Sequence, residues 1–174
     1  MRAPEQIVAE LHPRENKLPR ERPRPEDKRV WASVEHAPQE IMRQAFDEAV
    51  RRDPTGSKHW CALVDGSLYQ LNIVRLVARD YGVELTIVLD LIHVCEYVWR
   101  AAWALFREGD TAAEEWVRKH LLEILRGRSS VVAAGLRRSA TLRGLTQKER
   151  EPLDRCANYL LKYGEYLHYD EYLT

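Results

Sequence analysis

Two aspartates each close a β-branched apolar run, Ala62-Leu-Val-Asp65-Gly66 and Thr86-Ile-Val-Leu-Asp90-Leu-Ile-His93. The residue just past the carboxyl end of a parallel strand lies where such sheets place their ligands. Two carboxylates at that edge, with His93 three residues on, are groups that hold a divalent metal. A metal held there activates water or stabilises a phosphoryl transition state. Asp90 and His93 share one face on the first turn of a helix, and Glu96 extends it by one step. The same residues have a plainer use. Asp is among the best helix N-caps, so Asp65 and Asp90 would each start the helix after their strand. His93 is then a satisfied imidazole and Glu96 a solvated charge. Cys61, His93 and Cys95 have the atoms for a zinc site but poor spacing. The chain contains no GxxxxGK[ST], GxGxxG, GxSxG or HExxH run, which sets aside the commonest nucleotide-binding, hydrolase and metalloprotease readings.

The chain has 174 residues, enough for one domain or one domain with an insertion. Lys and Arg number 27, as do Asp and Glu, so overall charge announces no nucleic-acid partner and any DNA contact must come from a local patch. One candidate patch is Arg137, Arg138 and Arg143, whose alternative use is a solvated helix face. Another is the cluster Arg20, Arg22, Arg24, Lys28 and Arg29, which reads equally as a solvated linker. No apolar run approaches the ~20 residues of a membrane span, and the first residues lack the apolar stretch of a secretory signal. Cys61, Cys95 and Cys156 form no CxxC pair and read as reduced thiols in a cytoplasmic chain.

These groups are positioned by elements legible in the pattern. Five prolines among many charges make residues 1–28 a disordered or extended lead-in. Arg29–Val34 is a strand candidate. Pro38 then opens a helix carrying Ile41, Met42, Ala45, Phe46, Ala49 and Val50 as one apolar stripe. His59–Val64 and Glu84–Leu89 are strands, separated by a helix that Gly82 stops. A strand–helix–strand unit of this length is a parallel crossover, which would bring Asp65 and Asp90 out on the same sheet edge. From residue 91 onward only helix signals appear. Ile92, Cys95, Val98, Trp99, Ala102, Trp103 and Phe106 line one face. Thr111–Glu114 and Thr146–Glu149 are capping boxes. Trp99, Trp103 and Trp116 are spaced for packing between helices, with stacking on DNA bases as the other use. Tyr159, Tyr163, Tyr166, Tyr169 and Tyr172 crowd a tail with no clear closing element.

Several long motifs, in order, resemble the bacterial Kra-type insertion-sequence transposases of the Mutator-like DDE group. They are Lys28-Arg-Val-Trp-Ala-Ser33, Trp60-Cys-Ala-Leu-Val-Asp-Gly66, Thr86–Trp99, Gly135-Leu-Arg-Arg-Ser-Ala-Thr141 and Tyr163–Leu173. The resemblance implies a ribonuclease-H-like core in which three acidic residues hold two Mg²⁺ ions for cleavage and strand transfer of DNA. It implies that Asp65 is the second of those acids, that Asp90 and His93 are the group's Asp-x-x-His signature, and that the helices after 91 are an insertion subdomain. The first acid belongs on a strand well before Arg29 and the third beyond the insertion. Glu165, Asp170 and Glu171 do not sit in the third acid's motif. The expected organisation is therefore a lead-in over 1–28, a partial α/β ribonuclease-H-like core over 29–90 and an all-helical insertion over 91–174. The expected function is that of a DDE transposase fragment, truncated at both ends. Alone it would bind Mg²⁺ weakly, have little activity, and associate with DNA, with itself or with full-length transposase. A non-catalytic DNA-binding or regulatory fragment is the alternative, and an Asp65/Asp90 metal phosphohydrolase a third reading. Because the family fold places strands between those near 30 and 60, the resemblance also implies that the fragment repacks or leaves open sheet edges, a route to association.

Overall fold

A computed structural model describes residues 3–11, 26–107 and 109–173. The fold is mixed α/β with helix dominant, 66% of the described residues, which leaves the small sheet a minor partner. By compactness the chain divides into residues 14–87 and residues 1–13 with 88–174.

In the first unit, helix α2 (Pro38–Arg52) and helix α3 (Leu68–Tyr81) pack together; α1 (Pro4–Leu11) belongs to the other unit. Phe46, Ile73, Val77 and Ala78 form the core here, with Met42, Trp60, Tyr81, Val83 and Leu85 against it. Phe46 lies between the rings of Trp60 and Tyr81, at 5.8 and 5.5 Å. Strands β1 (Trp60–Val64) and β2 (Leu85–Leu89) pair in parallel across the α3 crossover, as the pattern predicts. The third expected strand, Arg29–Val34, does not form. Both valines of the segment stand in solvent, Val30 and Val34 being 79% and 104% exposed. Side chains hold that segment instead of a ladder. Arg52 donates to the Asp27 carbonyl at 2.6 Å, and Arg29 lies 3.8 Å from Glu48. Glu48 of α2, on the face away from Phe46, is buried under arginines, since Arg51 and Arg52 also pair with it.

The second unit is helical: α1, α4 (Leu91–Trp103), α5 (Thr111–Leu125), α6 (Ser129–Leu142), α7 (Gln147–Lys162), a 3₁₀ turn at Gly164–Tyr166 and α8 (Tyr169–Leu173). The lead-in expectation fails at Pro4–Leu11. Those residues are helical because Val8 buries against the unit's interior, α1 packs on α5, and Glu5 pairs with Arg126 at 2.7 Å. Residues 12–25, with Arg20, Arg22 and Arg24, lie outside the described residues. The Thr146–Glu149 capping box is present in both directions. The box expected at Thr111 does not form: Asp110 is the N-cap and accepts from Ala112 N–H at 2.8 Å. The tail closes on itself, since Tyr159, Tyr163, Tyr166 and Tyr169 are all buried and α8 packs on α5.

Helix α4 shows the largest rotation from expectation. Its buried face is Val94, Val98, Ala101 and Ala102. These small side chains let α5 and α7 approach closely, a geometry the tryptophans would prevent. Of the expected stripe, Val98 and Ala102 do lie on the core face, whereas Trp103 and Ile92 are 59% and 61% exposed and Trp99 is half-buried.

Candidate functional site

Asp65 follows β1 directly. Only Gly66, at φ +89°, lets the chain turn there without a Cβ penalty. The N-cap of α3 is Ser67, whose hydroxyl accepts from Gln70 N–H. Asp65 is thus not the cap; its Oδ1 accepts the Ser67 N–H at 2.8 Å, a local turn that fixes the carboxylate. The side chain is exposed, and no basic side chain pairs with it among the described residues. A fixed, uncompensated carboxylate at the carboxyl end of a parallel strand is a hard oxygen donor of the kind Mg²⁺ takes. Among the described residues no group of three or more His, Cys, Asp or Glu side chains gathers as a metal cage. The donor type at Asp65 fits Mg²⁺; one carboxylate alone would hold it only together with substrate phosphates. Cys61, His93 and Cys95 form no such group among the described residues.

Asp90 follows β2 and is the N-cap of α4, its Oδ1 accepting Ile92 N–H at 2.9 Å. The capping reading therefore holds at Asp90. His93, two residues into the helix after that contact, lies 3.9 Å from Glu96 rather than being bound to Asp90. What the fold brings to Asp90 is Cys95 and Tyr169. Burial chiefly, then the Asp90 charge, pushes the Cys95 thiol up to about 12. Burial also pushes the Tyr169 phenol upward, with Tyr159, Cys95 and Asp90 adding to it. The neutral Tyr169 hydroxyl donates to the Leu89 carbonyl at 2.7 Å and so fixes the end of β2 beside the cap. Tyr169 was not singled out by the sequence. The signal that existed was five tyrosines in a tail that otherwise looked open.

The three arginines of the candidate nucleic-acid patch are exposed. Arg137 donates to the Asn158 side-chain carbonyl at 2.6 Å, which ties α6 to α7. The Arg143 guanidinium lies 6.0 Å from the Phe106 ring centre. Both partners are neutral, so neither cation is compensated by them, in contrast to Arg126, Arg128, Arg150 and Arg155, which pair with carboxylates. No ion pair involves Arg138 among the described residues. No helix among them is long and apolar enough to cross a membrane. No family model, no curated protein and no solved structure matches the chain.

Proposed function

We propose that this chain is part of the ribonuclease-H-like core and helical insertion of a DDE transposase, acting on insertion-sequence DNA in the cytoplasm. The observation that carries the reading is Asp65: an exposed, turn-fixed carboxylate with no cation paired to it among the described residues, set by Gly66 at the carboxyl end of a strand in a parallel crossover. The motif order supports it, and so does a helical unit after residue 90. In this reading Asp65 is one metal-holding acid, Asp90 and His93 are the signature that starts the insertion, and further acids complete the Mg²⁺ pair. A chain offering one such carboxylate binds Mg²⁺ weakly and does not cleave by itself. The test is Mn²⁺-induced relaxation of backbone NMR signals with a short DNA duplex present. Broadening centred on residues 64–67, abolished by Asp65→Asn, is the expected result. Broadening that ignores Asp65→Asn overturns the assignment, and Mg²⁺-dependent plasmid nicking that Asp65→Ala removes overturns the inactivity.

A second reading, a non-catalytic DNA-binding or regulatory fragment, is favoured by the neutral partners of Arg137 and Arg143. It predicts metal-free DNA binding whose salt slope falls by about one to two contacts in Arg137→Glu/Arg138→Glu. An unchanged slope in that variant counts against it.

A further inference from the structure

Helix α4 carries a second apolar face beside its core face. Ile92, Cys95, Trp99 and Trp103 follow one another at spacings of three, four and four, and with Glu96 and Arg100 they line an open groove of about 500 Å³. The two indole rings lie 5.9 Å apart and stiffen one end of it. Tryptophan and arginine are the side chains that most often anchor a protein interface, and a groove holding both on a rigid helix has the make-up of one.

The order of residues along the groove specifies its occupant. Ile92 and Trp103 stand at the two ends, and Glu96 and Arg100 flank the middle. Turned about a two-fold axis through that middle, the stripe meets itself with Ile92 against Trp103 and Glu96 against Arg100. We propose that this face pairs two copies of the chain, α4 running antiparallel to α4 of the second copy. A two-fold interface must be self-complementary in this way. The charges are free to cross: Glu96 and Arg100 side chains are 48% and 55% exposed, and their contact within one copy is a loose 3.6 Å. A parallel arrangement would oppose like charges. A nucleic-acid backbone would meet the Glu96 carboxylate in the centre of the groove. Next to Trp103, Pro152 and the Glu151–Arg155 pair of α7 line a further groove of about 260 Å³ with Tyr97 and Arg100. This continues the mixed-charge rim that surrounds an apolar interface centre.

Sedimentation equilibrium of the full chain over a concentration series tests the pairing. The wild type is expected to show a monomer–dimer equilibrium, and Trp103→Lys to weaken it at least tenfold, about 1.4 kcal/mol. Glu96→Arg alone and Arg100→Glu alone each weaken it, because each sets like charges face to face. An equimolar mixture of those two variants regains the dimer, since a doubly basic α4 then meets a doubly acidic one. All three positions are exposed, and far-UV circular dichroism checks that each variant keeps its helices. Should Trp103→Lys not fold, the charge exchange decides alone. A wild type that stays monomeric, a dimer indifferent to the variants, or a mixture that fails to associate would each overturn the proposal.

Discussion

Asp65 and Asp90 occupy equivalent positions in the sequence, one residue past a strand, yet their carboxylates are used differently. Asp90 caps the Ile92 N–H of α4, while Ser67 caps the Gln70 N–H of α3 and leaves Asp65 in a surface turn. Asp90→Ala should therefore cost about 0.5–2 kcal/mol of stability. Asp65→Ala should cost about 0.5–1 kcal/mol, the worth of one exposed hydrogen bond. Urea unfolding of the two variants checks the order. The half-buried His120 gives a pH prediction at the same scale. Burial holds its pKa below the ordinary 6.5, although its ring N–H donates to the Trp116 carbonyl at 2.7 Å. The unfolded chain then takes up the proton first as pH falls. Stability from this group is complete above about pH 6.5 and is lost as the pH drops toward the folded value. His120→Gln should flatten that part of the stability–pH curve, measured by thermal unfolding.

At the level of elements, the joints decide more than the helices themselves. Gly127, between α5 and α6, has φ +74°, and a Cβ built there would lie 2.6 Å from the Asp170 carboxylate of α8. Gly127→Ala combines a left-handed backbone penalty with displacement of the Asp170 carboxylate, and should cost about 1–3 kcal/mol in chemical denaturation. Helix boundaries were largely legible: Pro38, Gly82 and the Thr146 box all mark real ends. The strand at Arg29–Val34 was misread because alternation alone cannot say whether a neighbouring strand exists to accept its hydrogen bonds. The α4 face was misread because hydropathy ranks Trp and Ile above Ala, whereas close helix packing against α5 and α7 favours the smaller residues.

Across the whole molecule the three thiols mark different depths. Cys61 is exposed on β1, Cys95 half-buried and Cys156 fully buried in α7, with burial pushing the Cys156 thiol up to about 12. Since the thiolate is the reactive form, Cys61 should be alkylated first in the native protein and Cys156 only on unfolding. Mass spectrometry of the native protein under a thiol reagent reads this order, and early labelling of Cys156 would contradict the packing of α7. Raising the pH above about 9 should also favour unfolding. The unfolded thiol ionises there, while the buried one stays neutral until about 12.

The sequence by itself determined the two strands, the crossover helix between them, the helical run after residue 90 and the position of Asp65 past a strand end. All of these rest on local periodicity, caps and β-branched runs, which act over a few residues. Only the tertiary structure decided that Asp90 is a cap while Asp65 is not, that Tyr169 holds the Leu89 carbonyl, and that α4 turns its small residues inward and its tryptophans outward. Those outcomes depend on which surfaces from distant parts of the chain compete for the same space. That competition is set by volume and hydrogen-bond satisfaction in three dimensions, and spacing along one helix or strand does not record it.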